Sequence, residues 1–189
     1  MQTLPVLQTA RLFMRVPVAE DAEAMAAFVS RNREHFRASE PERLDAYFTP
    51  SFWANELSTL PARVLREELV SFILLPASGQ SQEVIGHCIL SGIARGPFQA
   101  AYLGYGLAEA QIGQGLMSEA LRSVLHYSFS SLKLHRVMAN YVPTNERSAR
   151  LLDRLGFQRE GYARAYLRLD GHWRDHVLTA LTNDAWTPS

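Results

Sequence analysis

The sequence predicts an α+β domain built on a mixed, mainly antiparallel sheet of about seven strands, with helices on both faces. The chain has 189 residues, which suits one compact domain spanning residues 1–189 and is short for two. Segments with strand and helix patterns follow one another in the order strand, helices, three strands, helix, strand, helix, two strands. A doubly wound fold would alternate strand and helix strictly, so we expect antiparallel pairing to dominate.

Composition excludes several classes of protein. Hydrophobic residues make up 47% of the chain and charged residues 20%, as in an ordinary soluble globular protein. The 19 basic and 19 acidic residues give a formal net charge of zero, so no overall basic field attracts nucleic acid or anionic lipid. We therefore expect no direct DNA binding and no membrane association. Because the sequence shows neither an export signal nor a membrane-spanning segment, we also expect a cytoplasmic location.

Cysteine and histidine usage gives no sign of a metal site. The single cysteine, Cys88, excludes an internal disulfide, and its apolar neighbourhood predicts a buried structural thiol. His172 and His176 are expected to share one face of a strand, but no third ligand accompanies them. We expect no metal.

In the N-terminal half, the pattern predicts a strand, two helical stretches and a hairpin. Asp21 is a suitable N-cap for the first helix. Pro41 and Pro50 predict a loop or broken helix over residues 34–50. A turn at 76–82 joins two apolar segments into a hairpin. These elements are a strand at 11–16, helical stretches at 22–29 and 51–68, and strands at 70–75 and 84–93.

The C-terminal half is predicted to contain two helices and four strands. Gly104 and Gly106 lie inside a strand, where glycine is costly unless the backbone bulges or another group comes very close. Gly156 ends the second helix, and Asp170-Gly171 favours a tight hairpin turn. The elements are strands at 100–107 and 136–141, helices at 116–130 and 146–155, and hairpin strands at 162–169 and 173–181.

The loop Gly113-Gln114-Gly115 separates the glycine-containing strand from the start of a helix. Free backbone N–H groups and the positive end of a helix dipole would face an anion there, which predicts a phosphate cradle. Taken alone, two glycines before a helix are explained equally well by a tight turn. A Walker loop would need Gly-Lys-Ser/Thr, but Leu116 and Met117 follow Gly115. A dinucleotide fingerprint would need a third small residue, which Ser118 supplies only in part.

This loop resembles the hallmark of the GCN5-related N-acetyltransferase (GNAT) superfamily, Gln/Arg-x-x-Gly-x-Gly/Ala before a helix. More narrowly, the sequence is similar to the ribosomal-protein-alanine acetyltransferases of the RimJ type. The resemblance covers nearly the whole chain and is carried by residues 102–105, 115–121, 135–141, 155–157 and 170–181. It implies a GNAT fold with acetyl-CoA or CoA as co-substrate, and acetyl transfer by direct attack in a ternary complex.

The resemblance implies CoA contacts along the splayed strand, the glycine loop and the next helix. Ile112 and Met117 depart from the usual Gln/Arg and small residue, so their side chains are not given the usual roles. Backbone amides do not depend on side chains, so the cradle survives these departures. The expected contacts are Leu103, Ile112, Gly113, Gln114, Gly115, Leu116, Met117, Ser118, Asn145 and Ser148.

The resemblance also suggests catalytic roles. The amide near Tyr105 would face the thioester carbonyl as an oxyanion-type donor. Leu152 stands where many relatives carry a tyrosine that protonates the leaving thiolate, and Ser148 matches a serine that takes this part in Rim-type relatives. The alternative for Ser148 is an exposed helix serine without a role. Asn145 matches the asparagine that binds the pantetheine arm, a role that can coexist with capping the helix.

The sequence offers several candidates for the general base and does not choose among them. Asn140 occupies the position of a glutamate in some relatives and can hold a water or the substrate backbone, but cannot take a proton. Glu160 and Glu40 are the other candidates, the latter in a loop expected to roof the acceptor site. An ordinary surface carboxylate is the alternative for each, and a water chain to solvent is another route for the proton.

The resemblance implies an acceptor that is a protein N-terminal α-amine, the alanine of a small-subunit ribosomal protein. A lysine or a small-molecule amine is the alternative acceptor. Contact with the ribosome is one option for a partner, and the chain would be a monomer or a homodimer. A non-catalytic CoA-binding or ribosome-associated module is the rival function, and a nucleic-acid-binding protein is disfavoured by the net charge of zero.

Overall fold

The strand-forming segments pair into one sheet of eight strands in the order β1-β2-β3-β4-β5-β6-β8-β7. The computed structural model describes residues 3–77 and 83–187. All neighbouring strands are antiparallel except β5 and β6, which are parallel. The strands are β1 Val6–Gln8, β2 Leu12–Arg15, β3 Val70–Pro76, β4 Gly86–Ala94, β5 Ala100–Leu107, β6 Arg136–Met138, β7 Gln158–Leu169 and β8 His172–Thr182.

The predicted mixed, mainly antiparallel sheet is confirmed, with eight strands instead of about seven. The additional strand, β1, has three residues, too few for an alternating pattern to reveal it. The β3–β4 hairpin pairs as expected, although most of its predicted turn, residues 78–82, lies outside the described residues. Asp170 and Gly171 both adopt left-handed φ values, 44° and 74°, at the β7–β8 turn.

Five α-helices accompany the sheet in the described part of the chain: α1 Ala22–Arg31, α2 Arg33–Arg37, α3 Pro50–Leu65, α4 Leu116–Ser130 and α5 Glu146–Arg154. Thr49 caps α3, whose first residue is Pro50, a position where the missing N–H of proline costs nothing. The segment expected to be a loop or broken helix contains the short α2 and a 3₁₀ turn at Asp45–Phe48.

The core lies on both sides of the sheet. Four consecutive residues of β3, Phe72, Ile73, Leu74 and Leu75, are buried. Because successive side chains of a strand point to opposite faces, both faces are covered at β3. The site opens at β5, two strands along the same sheet, on the far side of β4.

The sheet splits between β5 and β6. The two strands pair only where Ala100–Tyr102 meets Arg136–Met138, and β5 then continues to Leu107 along β4 alone. The strand predicted at 136–141 ends early, at Met138, where its pairing with β5 stops. Beyond it the backbone N–H groups of Ala139 and Tyr141 still donate to carbonyl oxygens of β8. The gap leaves the edge of β5 beyond Tyr102 without a strand partner on that side.

Candidate active site

A cavity of about 810 Å³ opens at this gap. Its walls come from the end of β5, the glycine loop with the start of α4, one side of α5, and α2. Polar backbone and side chains from four separate segments thus converge on one space, as expected of a ligand site.

The glycine loop presents backbone N–H groups to the cavity. Gly113 and Gly115 have φ values of 83° and 76°, in the left-handed region that other residues enter only with strain. Gly115 is the N-cap of α4, and no side chain caps the helix there. The first N–H groups of α4 and its positive dipole end are therefore available to an anion.

Arg11 fastens the outer side of this loop. Its Nη1 donates to the Gln114 carbonyl oxygen at 2.9 Å, and its Nη2 lies 2.6 Å from a carboxylate oxygen of Glu119 in α4. The Arg11 backbone N–H donates to the same carboxylate at 2.9 Å. These contacts turn the Gln114 carbonyl away from the cavity and tie the loop to the sheet beside β2.

The structure brings together most of the predicted cofactor residues. Gln114 does not line the cavity, since its carbonyl is bound by Arg11 and its side chain donates to Gln111 and Ala110. Leu103 does not line it either, because its side chain is buried in the core. The predicted residues that do line it are Ile112, Gly113, Gly115, Leu116, Met117, Ser118, Asn145 and Ser148.

Tyr105 and Ser148 face each other across the gap. The phenol oxygen of Tyr105 lies 2.6 Å from Ser148 Oγ. Asn145 caps α5 by accepting the Ser148 backbone N–H on its Oδ1 at 3.0 Å, which fixes the first turn of the helix. Burial raises the pKa of Tyr105 to about 12 even though its hydrogen bond with Ser148 lowers it, so the phenol stays protonated near neutral pH.

A second cavity of about 440 Å³ adjoins the first, and Phe36 of α2 lines both. Glu40 lines this second space, where burial raises the pKa of its carboxyl although Arg43, with Nε at 3.7 Å, lowers it. The Asp170 backbone N–H donates to the Glu40 carbonyl oxygen at 3.2 Å, and Arg37 Nε contacts the Asp170 carboxylate at 3.0 Å. The tip of the β7–β8 hairpin thereby holds the loop that carries Glu40.

Asn140 and Glu160 are not brought to either cavity. The Asn140 amide is engaged at both ends, since Oδ1 accepts from the Thr179 N–H and Nδ2 donates to the Tyr166 hydroxyl, each at 3.1 Å. Both carboxylate oxygens of Glu160 lie 2.7 Å from Arg136 Nη1. Their contacts hold β6, β7 and β8 together, so among the carboxylates predicted as base only Glu40 faces a cavity.

The sequence analysis missed three arginines of α5. Arg147, Arg150 and Arg154 all line the first cavity, and their spacing of three and four residues places them on one face of the helix. Arg150 pairs with Glu146 at 2.9 Å. Within residues 3–77 and 83–187, Arg147 and Arg154 make no ion pair with a carboxylate. This helical spacing was readable in the sequence.

The sequence analysis also missed a histidine that packs against β5 at the gap. The His87 ring lies beside those of Phe28 and Phe36, and burial lowers its pKa to about 4, so the imidazole is neutral. A Cβ at Gly106 would come within 2.6 Å of His87 Cε1. A close approach was expected at the strand glycines. At Gly106 the group that comes close is the His87 side chain of the neighbouring strand β4.

Among the described residues, no group of three or more His, Cys, Asp or Glu is arranged to hold a metal ion. None of the helices in the same residues is long and apolar enough to cross a membrane.

Comparison with known proteins agrees with this geometry. A family profile described as an acetyltransferase (GNAT) domain matches residues 11–158. The [ribosomal protein uS5]-alanine N-acetyltransferase of Escherichia coli K12 is 41% identical over 182 residues, covering 96% of this chain and 93% of that protein. The crystal structure of ribosomal-protein-S5-alanine acetyltransferase from Vibrio fischeri superposes with a TM-score of 0.92 at 35% identity, covering 97% of this chain and all (100%) of the other. RimJ of Mycobacterium smegmatis in complex with CoA-disulfide gives a TM-score of 0.86 at 27% identity, covering 100% of this chain and 90% of the other.

A split sheet with an amide cradle at its opening, together with these matches, defines an acyltransferase that uses a CoA thioester. The chain belongs to the GNAT acetyltransferase family. It is an acetyl-CoA-dependent N-acetyltransferase.

Proposed function

We propose that the protein, acting as one domain, transfers the acetyl group of acetyl-CoA to the N-terminal alanine of a small-subunit ribosomal protein in the cytoplasm. The main support for acetyl transfer is a pair of adjoining cavities that are both lined by Phe36. One cavity contains the amide cradle and the other contains Glu40. The acceptor is supported by the relative from Escherichia coli, whose name specifies alanine of uS5.

Acetyl-CoA would occupy the larger cavity. Its diphosphate suits the N–H groups at the start of α4, and a Cβ built on Gly113 meets nothing within 4 Å, so open space lies in front of the loop. The unpaired edge of β5 can hydrogen-bond the amides of the pantetheine arm, as a strand partner would. A pantetheine arm that runs from the glycine loop along the edge of β5 would bring the thioester toward Tyr105 and Ser148, which line the same cavity.

The acceptor amine would enter through the smaller cavity. Four carboxylates and three guanidinium groups line it. The carboxylates are thus in excess by one, which modestly favours a cationic ammonium group. The nitrogen attacks the thioester carbonyl carbon, a C–N bond forms and the C–S bond breaks. The amine loses one proton to Glu40 directly or through water, and the sulfur gains one on release as a thiol.

The character of the base matches an α-amine better than a lysine. An α-amine with a pKa of about 7.7–8.0 is roughly a fifth or more neutral at pH about 7.4, whereas a lysine near 10.4 is about one part in a thousand neutral. Deprotonation therefore costs about 4 kcal/mol for lysine and well under ~1.5 kcal/mol for the α-amine. A single carboxylate whose pKa is raised by burial is sufficient for the easier amine.

Three acceptors offered with acetyl-CoA test the proposed substrate. They are a peptide beginning with alanine, the same peptide blocked at its N-terminus but carrying lysine, and a panel of aminoglycosides and polyamines. The alanine peptide is expected to give the highest kcat/KM. A higher value for the blocked lysine peptide or a small amine would exclude the N-terminal acceptor and leave only the acetyltransferase activity.

Replacing Glu40 with glutamine is expected to lower kcat/KM about tenfold, at the low end of general-base effects because the α-amine is already partly neutral. The kcat/KM of the wild-type enzyme should rise with pH as Glu40 loses its proton, at a pKa above the usual glutamate range. A profile of kcat/KM against pH should lose that limb in Glu40→Gln. Glu56→Gln, which removes an exposed charge from α3, is the control.

The stability of Glu40→Gln against unfolding shows whether its loss of activity comes from a missing base or from damage to the fold. Because the raised pKa keeps a proton on native Glu40 where the unfolded chain has lost it, the native state binds more protons in that pH window. The stability contributed by Glu40 is therefore lost as pH rises through its folded pKa. Glu40→Gln should be at least as stable as the wild type near neutral pH. A loss of activity with a lower Tm would argue against a role as base.

Replacing two arginines of α5 is expected to weaken the affinity for acetyl-CoA without changing the rate of the chemical step. CoA carries phosphate charges beyond the part held by the amide cradle, and Arg147 and Arg154 line the same cavity without a carboxylate partner in residues 3–77 or 83–187. The double variant Arg147→Gln/Arg154→Gln should raise the KM for acetyl-CoA about tenfold and leave kcat unchanged. Steady-state kinetics measures both constants. The control is Arg122→Gln, which replaces an exposed arginine of α4 outside the cavity.

A further inference from the structure

Two hydroxyl groups meet in the wall of the cofactor cavity. Tyr105 extends from β5, where it pairs with Cys88 of β4, and Ser148 lies in the first turn of α5. Their oxygens are 2.6 Å apart, and both residues line the cavity. Such a short separation means that one hydroxyl donates its proton to the other.

The direction of this hydrogen bond decides what Ser148 can do. Each hydroxyl has one proton to donate, and the positions of the oxygens allow either to be the donor. A phenol is a stronger acid than an aliphatic alcohol, so Tyr105 is the better donor and Ser148 Oγ the acceptor. The serine proton is then free to turn into the cavity. If Ser148 donated instead, its only proton would be used up on Tyr105.

We propose that Tyr105 is a positioning residue that donates to Ser148 Oγ and thereby directs the serine proton at the sulfur of the departing thiolate. This inference rests on the proposed transfer from acetyl-CoA. When the C–S bond breaks, its electron pair stays on sulfur, and the serine O–H stabilises that charge by a hydrogen bond. The sulfur later gains the proton that balances the one lost by the amine nitrogen. Tyr105 itself keeps its proton throughout.

The surroundings of the pair support a fixed donor. Burial keeps Tyr105 in its protonated form near neutral pH, so it remains a donor over the working range. A bond from Tyr105 polarises the serine hydroxyl and strengthens the bond that this hydroxyl makes in turn. Leu152, at the position where other relatives carry a tyrosine, is 1% exposed and has no polar group. Position 152 therefore offers no hydroxyl, and the phenol of Tyr105, from the facing strand β5, is the side chain that hydrogen-bonds Ser148 Oγ.

A double-mutant cycle tests the coupling. Tyr105→Phe removes only the phenol oxygen and should lower kcat about tenfold while the KM for acetyl-CoA stays unchanged. In a protein already carrying Ser148→Ala, adding Tyr105→Phe should cause no further loss, since the serine proton is gone. Tyr162→Phe, which removes an exposed phenol bonded to Asp175, is the control. Wild-type kcat in Tyr105→Phe, or two effects that multiply, would overturn the inference.

A ring-fluorinated tyrosine at position 105 gives a second test that keeps every atom of the contact. Fluorine lowers the pKa of the phenol, and an ionised phenolate cannot donate. A loss of kcat at alkaline pH should therefore begin at lower pH than in the wild-type enzyme, whereas a purely structural ring would leave the pH profile unchanged. If Ser148→Ala retains wild-type kcat, the Ser148 assignment itself fails. If Ser148→Ala is slow and Tyr105→Phe is normal, only the role of Tyr105 fails.

Discussion

Replacing Gly115 with valine is expected to abolish the stabilisation of the protein by acetyl-CoA. At about a hundred times its Kd, a ligand that binds only the native state adds roughly 2.7 kcal/mol, which should appear as an upward shift in Tm for the wild type. Gly115 has a φ of 76°, and a β-branched residue is strongly disfavoured there. The loop should shift to relieve the strain, and the N–H groups of the α4 start should no longer converge on the diphosphate.

Gly96→Val is a matched control for this result. Gly96 also has a left-handed φ, 69°, and a Cβ there meets nothing within 4 Å, but it lies in the β4–β5 turn outside both cavities. Both variants should lose similar intrinsic stability through backbone strain. Only Gly115→Val should lose the response of Tm to acetyl-CoA. An unchanged response would place the cofactor elsewhere.

Replacing Ser148 with alanine is expected to lower kcat by about ten- to a thousandfold with little change in acetyl-CoA binding. The hydroxyl is needed only as charge develops on sulfur, so its loss raises the barrier without weakening the ground-state complex. The helix start should survive, because it is the backbone N–H of residue 148 that donates to Asn145 Oδ1, and alanine keeps that N–H. Single-turnover kinetics reports the chemical step directly.

Ser130→Ala, at the exposed end of α4 and outside both cavities, is the control for this variant. It removes a serine hydroxyl that donates to a helix carbonyl, without touching the cavity. A Ser148→Ala enzyme with normal kcat would remove the serine from the mechanism and leave the cradle and the acceptor cavity intact.

Local patterns were enough to predict most of the fold. The continuous apolar segment of β3 and the glycine-interrupted β5 were correctly placed, and Asp170-Gly171 marked the final hairpin because few residue pairs tolerate two left-handed φ values. The short α2 was assigned to a loop or broken helix because prolines follow it. The three-residue β1 has too little pattern of its own and is held by pairing with β2.

The site was only partly predictable, because its contacts join residues far apart in sequence. The glycine loop is local and was found. The Tyr105–Ser148 contact joins residues 43 positions apart, and no spacing rule announces it. Glu160 was a candidate base because of its position after α5 in the sequence. Strand pairing places its carboxylate beside Arg136 instead. Asn140 was similarly placed by the register of β8, which decides which polar groups face the gap.

Mass spectrometry of ribosomal proteins tests the central claim most directly. Cells lacking this chain are compared with cells complemented by the wild-type protein and by Ser148→Ala. The proposed function predicts that the N-terminal alanine of one small-subunit protein loses its acetyl group in the deletion strain, regains it with the wild type and regains it poorly with Ser148→Ala. A full set of unchanged N-terminal acetyl groups in the deletion strain would contradict the proposed acceptor.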